Sequence, residues 1–152
     1  MPRQLVRKLL FIAVFLVLTA CSDSGLIVVN ALARFGGYPL ITDQAYGTSP
    51  LNNLDVYLPN QPVQGVVIFF YGGCWGACGA LSRESYRFVG QALTSLGYVV
   101  VIPDYRLYPK VLFPEIMADS AAVVAWVDRN IGDFGGVAEQ TFLMGHSAGG
   151  HL

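Results

Sequence analysis

Apolar residues follow two different spacings along the second half of the chain. Residues 66–70 and 98–102 are continuous apolar runs, and residues 141–144 form a shorter, mainly apolar one. Uninterrupted runs of this length are typical of strands buried on both faces of a parallel sheet. Between the runs, apolar residues recur every three or four positions, as they do on one face of a helix. The pattern therefore predicts strand, helix, strand, helix, strand.

Both predicted helices have recognisable ends. Ser82 is the expected N-cap of the first helix, Gly97 lies just past its C-terminus, and Pro114 fits the first turn of the second helix, 114–131. The expected apolar faces are Tyr86, Val89, Leu93 and Leu96 in the first helix, and Ile116, Val123, Val124, Val127 and Ile131 in the second. Strands and helices that alternate in this way are joined by right-handed crossovers. The predicted fold class is α/β, a mostly parallel sheet with helices on both faces.

The residues before these elements predict antiparallel first strands and leave one segment open. Over residues 54–58, three aliphatic residues alternate with Asp55 and Tyr57, which is typical of a half-exposed strand. Residues 43–46 can pair with this strand across a short turn, which gives an antiparallel edge. Residues 26–35 are apolar, but their pattern predicts no particular fold.

The N-terminus has the composition of an export signal. Three basic residues precede ten uninterrupted apolar residues, 9–18, and small residues follow. Ten residues are too few to cross a bilayer, which takes roughly 17–25. We therefore predict a signal peptide over residues 1–20, a tether with a short apolar segment over 21–40, and the N-terminal part of a folded domain over 41–152.

The end of this signal, Leu-Thr-Ala-Cys at 18–21, closely resembles the bacterial lipobox. The resemblance implies that the chain is cut before Cys21, which is lipidated on sulfur and acylated at the new N-terminus. Ser22, rather than aspartate, resembles lipoproteins sorted to the outer membrane. The expected location is therefore the cell envelope, on the periplasmic side of the outer membrane. An ordinary signal peptide cut nearby is the alternative.

Composition and charge exclude several classes of function. With 54% hydrophobic and 12% charged residues, against roughly 25% charged in an average domain, the chain is expected to collapse rather than stay disordered. Nine basic against ten acidic residues leave no excess positive charge for nucleic acid. Cys74 and Cys78 provide too few ligands for zinc, so no metal and no cofactor are expected. Whether these two cysteines form a disulfide is left open.

A Gly-x-Ser-x-Gly sequence, Gly145 to Gly149, directly follows the third predicted strand. In this position the serine lies on a sharp, strained turn between strand and helix, where residues larger than glycine would collide. The turn lifts the hydroxyl of Ser147 above the sheet and directs the N–H of Ala148 toward developing negative charge. We interpret Ser147 as a catalytic nucleophile. The alternative is a glycine-rich turn with a capping serine.

Four segments together resemble the esterase branch of the α/β-hydrolase superfamily. In chain order they are LDVYLP (54–59), YGGCW (71–75), DYRL (104–107) and GHSAGGHL (145–152). The resemblance covers about residues 43–152. It implies the N-terminal half of an α/β-hydrolase fold, in which the first strands are antiparallel.

The resemblance also implies a site and a reaction. In the family a His-Gly-Gly loop gives backbone N–H groups to an oxyanion hole, which implies this role for Gly72 and Gly73 beside Ala148. Ser147 would form an acyl-enzyme with a small-molecule ester or amide, and the expected activity is hydrolysis of carboxylic esters. Tyr71 stands where the family usually has histidine. The alternatives are an amidase resembling kynurenine formamidases and a non-catalytic envelope lipoprotein that uses the fold for binding.

The two histidines of the chain flank the predicted nucleophile. Neither His146 nor His151 is expected to be the general base, because the triad order is Ser, then Asp or Glu, then a much later His. We therefore expect the catalytic acid and histidine to lie beyond Leu152. On this hypothesis residues 21–152 alone are inactive, and the third predicted strand is left as an exposed apolar edge.

Overall fold

The computed structural model describes residues 23–76 and 81–152, which form a five-stranded sheet with helices. The strands are β1 (Leu40–Ala45), β2 (Asn53–Tyr57), β3 (Gly65–Phe70), β4 (Tyr98–Pro103) and β5 (Thr141–Gly145). The α-helices are α1 (Asp23–Ala33), α2 (Arg87–Thr94), α3 (Phe113–Asn130) and α4 (Ala148–His151). Short 3-10 turns lie at Cys74–Gly76, Arg83–Tyr86, Ile131–Phe134 and Ala138–Gln140.

The strand order is β1-β2-β4-β3-β5. β1 pairs antiparallel with β2, and β2 pairs antiparallel with β4, whereas β3 pairs in parallel with both β4 and β5. The predicted α/β class with antiparallel first strands is confirmed. Because Phe70 pairs with Gly145, the carboxyl ends of β3 and β5 lie side by side, and the segments that follow them start from the same edge of the sheet.

β3 and β4 form the centre of the core. All six residues of β3 are buried, and so are all residues of β4 after Tyr98. Both strands consist mainly of valine, isoleucine and phenylalanine, which pack well on a pleated surface covered on both faces. These are the two longer apolar runs of the sequence, and their prediction as buried strands is confirmed.

β2 is buried on both faces, so the prediction of a half-exposed strand is wrong. Residues 54–57 are all buried. Asp55 tolerates burial because its carboxylate pairs with the guanidinium of Arg83, with 2.8 Å between Oδ1 and Nε. Tyr57 is covered by α2, where a Cβ on Gly90 would lie 2.6 Å from its ring. Glycine at that position lets the helix pack directly onto the strand.

Two residues of the predicted apolar helix faces are exposed instead. Leu96 lies past the end of α2, where the chain turns toward β4 through Gly97 at φ 91°, and 63% of it is exposed. Val124 is exposed on α3, because it follows the fully buried Val123 by about 100° around the helix. The other predicted positions of that face are buried; they are Ile116, Val123, Val127 and Ile131.

β5 forms as predicted and lies at the edge of the sheet. Phe142, Leu143 and Met144 are all exposed, although successive side chains point to opposite faces. Within the described residues β5 pairs with β3 and with no other strand. Both of its faces are therefore open apolar surfaces, as expected for an exposed apolar edge.

Most of helix α1 lies in the segment 26–35, for which the sequence predicts no fold, and the helix begins before it at Asp23. The Nδ2 of Asn30 donates to the carbonyl oxygen of Ser85 at 2.7 Å, and its Oδ1 accepts from the N–H of Phe88 at 3.1 Å. α1 thus packs against α2 and the turn before it. The boundary between residues 21–40 and 41–152 stays a prediction. None of the helices in the described ranges has the length and apolar character needed to cross a bilayer.

Candidate active site

Ser147 lies in a strained turn between β5 and α4. Its backbone has φ 52° and ψ −120°, outside the regions that residues with a side chain normally occupy. A Cβ on Gly145 would lie 2.4 Å from the carbonyl oxygen of Gly149, and a Cβ on Gly149 would lie 2.0 Å from that of Phe70. Both positions therefore require glycine. Ser147 itself is exposed. We call residues 145–149 the serine turn.

The segment after β3, residues 71–76, lies against the serine turn, and we call it the Gly-Gly loop. The N–H of His146 donates to the carbonyl oxygen of Phe70 at 3.0 Å, which ties the serine turn to the end of β3. A Cβ on Gly72 would lie 2.9 Å from the Cβ of Ser147. Only glycine permits this approach, so the loop backbone is close to the serine.

Tyr71 anchors the Gly-Gly loop in the core. Its hydroxyl donates to Oδ1 of Asp104 at 2.8 Å, and its carbonyl oxygen accepts from the hydroxyl of Tyr105 at 2.5 Å. Its ring stacks on that of Tyr86, with centroids 5.5 Å apart. Burial and the nearby Asp104 carboxylate raise the pKa of Tyr71 well above its usual range, so the hydroxyl stays protonated and remains a donor.

Arg83 pairs with three carboxylates beside this loop, those of Asp43, Asp55 and Asp104. Its backbone N–H also donates to Oδ1 of Asp104 at 2.7 Å. Burial by itself would lower the pKa of Arg83, but the hydrogen bonds and charges of Asp55 and Asp104 raise it above its usual value. Asp104 is therefore held by both Arg83 and Tyr71, and it links this Arg83 cluster to the Gly-Gly loop.

Three aromatic rings pack together between the Gly-Gly loop, α3 and α4. The centroid of Trp75 lies 5.7 Å from that of Phe113 and 5.6 Å from that of His151, and the last two are 5.6 Å apart. The other histidine, His146, has its Nδ1 3.4 Å from the hydroxyl of Tyr86. Each histidine ring therefore contacts aromatic side chains: His151 those of Trp75 and Phe113, and His146 that of Tyr86.

A second ion pair fixes the chain that leaves β4. The Nη2 of Arg106 lies 2.7 Å from Oδ1 of Asp119, and the backbone N–H of Arg106 donates to Oδ2 at 3.0 Å. Burial would raise the pKa of Asp119, but the hydrogen bonds from Arg106 outweigh it and hold that pKa below its usual value. The pair joins the segment after β4 to α3.

The structure brings most of the predicted site residues together. Gly72 lies beside Ser147, whereas Gly73, the next residue of the loop, faces the side chain of Leu81, which a Cβ there would meet at 3.7 Å. Ala148 is the first residue of α4, where an N–H has no acceptor within the helix. Cys21, the predicted lipidation site, lies outside the described residues, and so does Cys78. Cys74 is disulfide-bonded. In the ranges 23–76 and 81–152, no group of three or more His, Cys, Asp or Glu residues could hold a metal ion.

The sequence pattern does not identify Arg83 as part of the site. Its partners come from β1, β2 and the end of β4, so the Arg83 cluster leaves no local pattern in the sequence. One signal was available, because Asp55 within an apolar strand needs a cationic partner once that strand is buried. Tyr86 was expected in an apolar helix face and also contacts the site, where its ring stacks on Tyr71.

The sheet order, the serine turn and the adjacent Gly-Gly loop together define an α/β-hydrolase. The sequence model of the BD-FAE family matches residues 54–152, which is more than half of the chain. The chain belongs to the BD-FAE family.

Its relatives include several kinds of esterase. Isoprenylcysteine alpha-carbonyl methylesterase ICME of Arabidopsis thaliana is 35% identical over 113 residues, which cover 70% of this chain and 25% of that protein. Esterase LipC of Mycobacterium tuberculosis is 34% identical over 111 residues, 70% of this chain and 27% of that protein. The chain thus spans about a quarter of the length of these curated relatives.

Solved structures of esterases share the fold. Esterase B of Lactobacillus rhamnosis, inhibited by a tributyrin phosphonate, superposes with a TM-score of 0.71 at 25% sequence identity. The match covers 91% of this chain and 47% of that one. This chain therefore spans less than half of the length of that esterase.

Proposed function

We propose that the protein containing this chain hydrolyses carboxylic esters through an acyl-enzyme on Ser147. The observation that carries the proposal is the close approach of Gly72 to Ser147, which puts loop backbone directly beside an exposed hydroxyl. A serine on a strained turn with backbone N–H groups around it suits acyl transfer. The esterases among the relatives support the same class of reaction.

Each of the proposed site residues has one role. The Oγ of Ser147 attacks the carbonyl carbon, and the electron pair of the C=O bond moves to the oxygen. The N–H groups of Gly72, Gly73 and Ala148 stabilise this oxyanion, and each such donor typically contributes about 10²–10³ in turnover. The tetrahedral intermediate then collapses: the ester C–O bond breaks, and the alcohol leaves with the proton that the general base took from the Ser147 hydroxyl. Water attacks the acyl-enzyme in the same way, which releases the acid and restores the serine hydroxyl.

Two features of the structure make this hole effective. The Gly-Gly loop is held by Tyr71 and Asp104, so its N–H groups do not need to be reoriented during the reaction. Ala148 is the first residue of α4, so its N–H has no acceptor within the helix and can donate to the oxyanion. In the usual triad order the acid and then a much later histidine follow the serine, so we assign neither role to a residue of this chain.

The test is an activity-based label on the full-length protein. A fluorophosphonate reacts with an activated serine, so the wild type should be labelled and Ser147→Ala should not. Ser95→Ala, at an exposed serine after α2, is the matched control and should be labelled like the wild type. Turnover of short acyl esters should fall by about 10³-fold or more in Ser147→Ala. A folded wild type without label would contradict the proposal and favour a non-catalytic binding protein.

We also propose that the protein is exported and anchored by lipid on Cys21, on the periplasmic side of the outer membrane. The support is the lipobox-like sequence 18–21 after a short apolar signal. Several acyl chains, at about 0.8 kcal/mol per buried CH₂, give stable anchorage. The Cys21→Ser variant should therefore move from the detergent phase to the aqueous phase in a phase-partition assay, or it should retain its uncleaved signal peptide. Unchanged partition, or an N-terminal peptide without added acyl mass in the wild type, would contradict the anchor.

A further inference from the structure

Helix α1 presents its large apolar side chains outward. Most of the exposed positions of α1 form two rows in which residues are spaced by four: Ile27 with Ala31, and Val28 with Leu32. Val29, 40% exposed, lies beside these rows. The large side chains in these rows are Ile27 (69% exposed), Val28 (58%) and Leu32 (65%), and Phe35 (86%) follows in the turn just after the helix. Rows of this spacing lie on one face of a helix, so the side chains form a continuous stripe. An ordinary surface helix has polar residues there.

The opposite side of α1 is fixed by polar contacts, so the stripe cannot turn inward. The side chain of Asn30 bonds to the carbonyl oxygen of Ser85, in the 3-10 turn before α2, and to the N–H of Phe88, in the first turn of α2. Beyond the helix, the Nδ2 of Asn60 donates to the carbonyl oxygen of Gly37 at 2.7 Å. Rotation of α1 to bury the stripe would break the Asn30 contacts. The outward orientation is therefore part of the fold.

The position of α1 in the chain indicates what covers the stripe. Asp23, its first residue, comes two residues after Cys21, a link of at most about 7 Å. An acylated Cys21 would thus hold α1 at the membrane surface. With 11 residues α1 is too short to span a bilayer. Arg34 is exposed beside Phe35 and suits anionic headgroups.

We propose that α1 and the turn after it lie in the membrane interface, with the side chains of Ile27, Val28, Leu32 and Phe35 among the lipid acyl chains. The inference rests on the proposed lipid anchor, because that anchor is what brings α1 to the membrane surface. The affinity of α1 for lipid can be measured without the anchor. A second membrane contact beside the acylated cysteine strengthens the attachment and restricts how the domain can reorient on the membrane. Because α1 packs on the turn that contains Arg83, this attachment also sets which side of the hydrolase faces the lipid.

The experiment measures the helix without the acyl chains. The parent is the full-length protein from residue 21 onward with Cys21→Ser, floated on a density gradient with vesicles of phosphatidylethanolamine and phosphatidylglycerol. The parent should float, and the double change Ile27→Gln and Leu32→Gln should lower its partition coefficient about tenfold or more. Leu96→Gln, an exposed leucine outside α1, is the matched control and should float like the parent. Tm should be unchanged in both variants, because these side chains are exposed.

The outcomes separate the two proposals. Equal flotation of the parent and the α1 variant overturns the membrane role of the helix, and so does a parent that does not float. The membrane role is also overturned if the parent is a dimer in the absence of vesicles while the α1 variant is a monomer. The stripe would then bind a second copy of the chain. Failure of the lipid anchor has a different signature: the wild-type N-terminal peptide lacks acyl mass, while the flotation of the parent is unaffected.

Discussion

Tyr71 and the glycines of the serine turn hold the two parts of the site by different means. Tyr71 uses a hydrogen bond to Asp104, and removing one such bond typically costs about 1 kcal/mol. Gly145 and Gly149 instead allow backbone contacts that no side chain permits. A substitution at Tyr71 should therefore loosen the Gly-Gly loop, whereas a substitution at either glycine should disrupt the backbone of the serine turn.

Tyr71→Phe should lower the kcat of the full-length enzyme about fivefold and leave KM nearly unchanged, because the loop loses one anchor of about 1 kcal/mol. Asp104 keeps Arg83 as a partner, so the fold should survive. Steady-state kinetics on a short acyl ester measure both constants. Tyr98→Phe, at the opposite end of the sheet, is the control. A change in KM alone would contradict the prediction, since it would place Tyr71 in substrate binding.

Gly149→Ala should destabilise the full-length protein by about 3 kcal/mol or more, because the new Cβ would meet backbone atoms of Phe70 that cannot move aside. Gly132→Ala is the matched control, since a Cβ there meets nothing within 4 Å. We expect the control to change the free energy of unfolding by less than about 1 kcal/mol. Urea denaturation of both variants measures the difference, and equal stability would show that the serine turn is not tightly packed.

Elements with continuous apolar runs could be predicted from the sequence, whereas those that depend on distant polar contacts could not. β3 and β4 need burial on both faces whatever their neighbours are. The fold of α1, by contrast, depends on Asn30 contacts with residues 55 and more positions away. The same division applies to the site: the glycine motifs around Ser147 are local in sequence, while the partners of Arg83 come from separate strands.

The ion pair between α3 and the segment after β4 predicts a pH dependence. The pKa of Asp119 is held below its usual value of 3.8, so the folded state favours the charged form. The stability from this pair is present above that usual pKa and is lost as the pH falls through the lower, folded pKa. Asp119→Asn should therefore be less stable than the wild type at neutral pH, and the difference should shrink in acid. Thermal unfolding at a series of pH values tests this; a constant difference would contradict it.

For the molecule as a whole, the open faces of β5 predict poor solubility of residues 21–152 produced alone. Exposed apolar edge strands promote association, and this fragment should aggregate and lack esterase activity. Phe142→Lys with Leu143→Lys should increase the soluble fraction, because charges on an edge strand oppose pairing. Val124→Lys, on the exposed side of α3, should have little effect. A soluble, cooperatively unfolding esterase that depends on Ser147 would refute the prediction and make His146 or His151 the candidate base.

The position of β3 between β4 and β5 has a consequence for the order of events during folding. Only one α-helix, α2, separates β3 from β4 along the chain, whereas α2, β4 and α3 all separate β3 from β5. Closing the longer loop costs more chain entropy, and such non-local pairing is slow. The pairing that brings Ser147 beside Gly72 should therefore be among the last to form. A folding chain would hold its Gly-Gly loop in place before Ser147 lies beside it, so this part of the proposed site would be complete only when β5 docks.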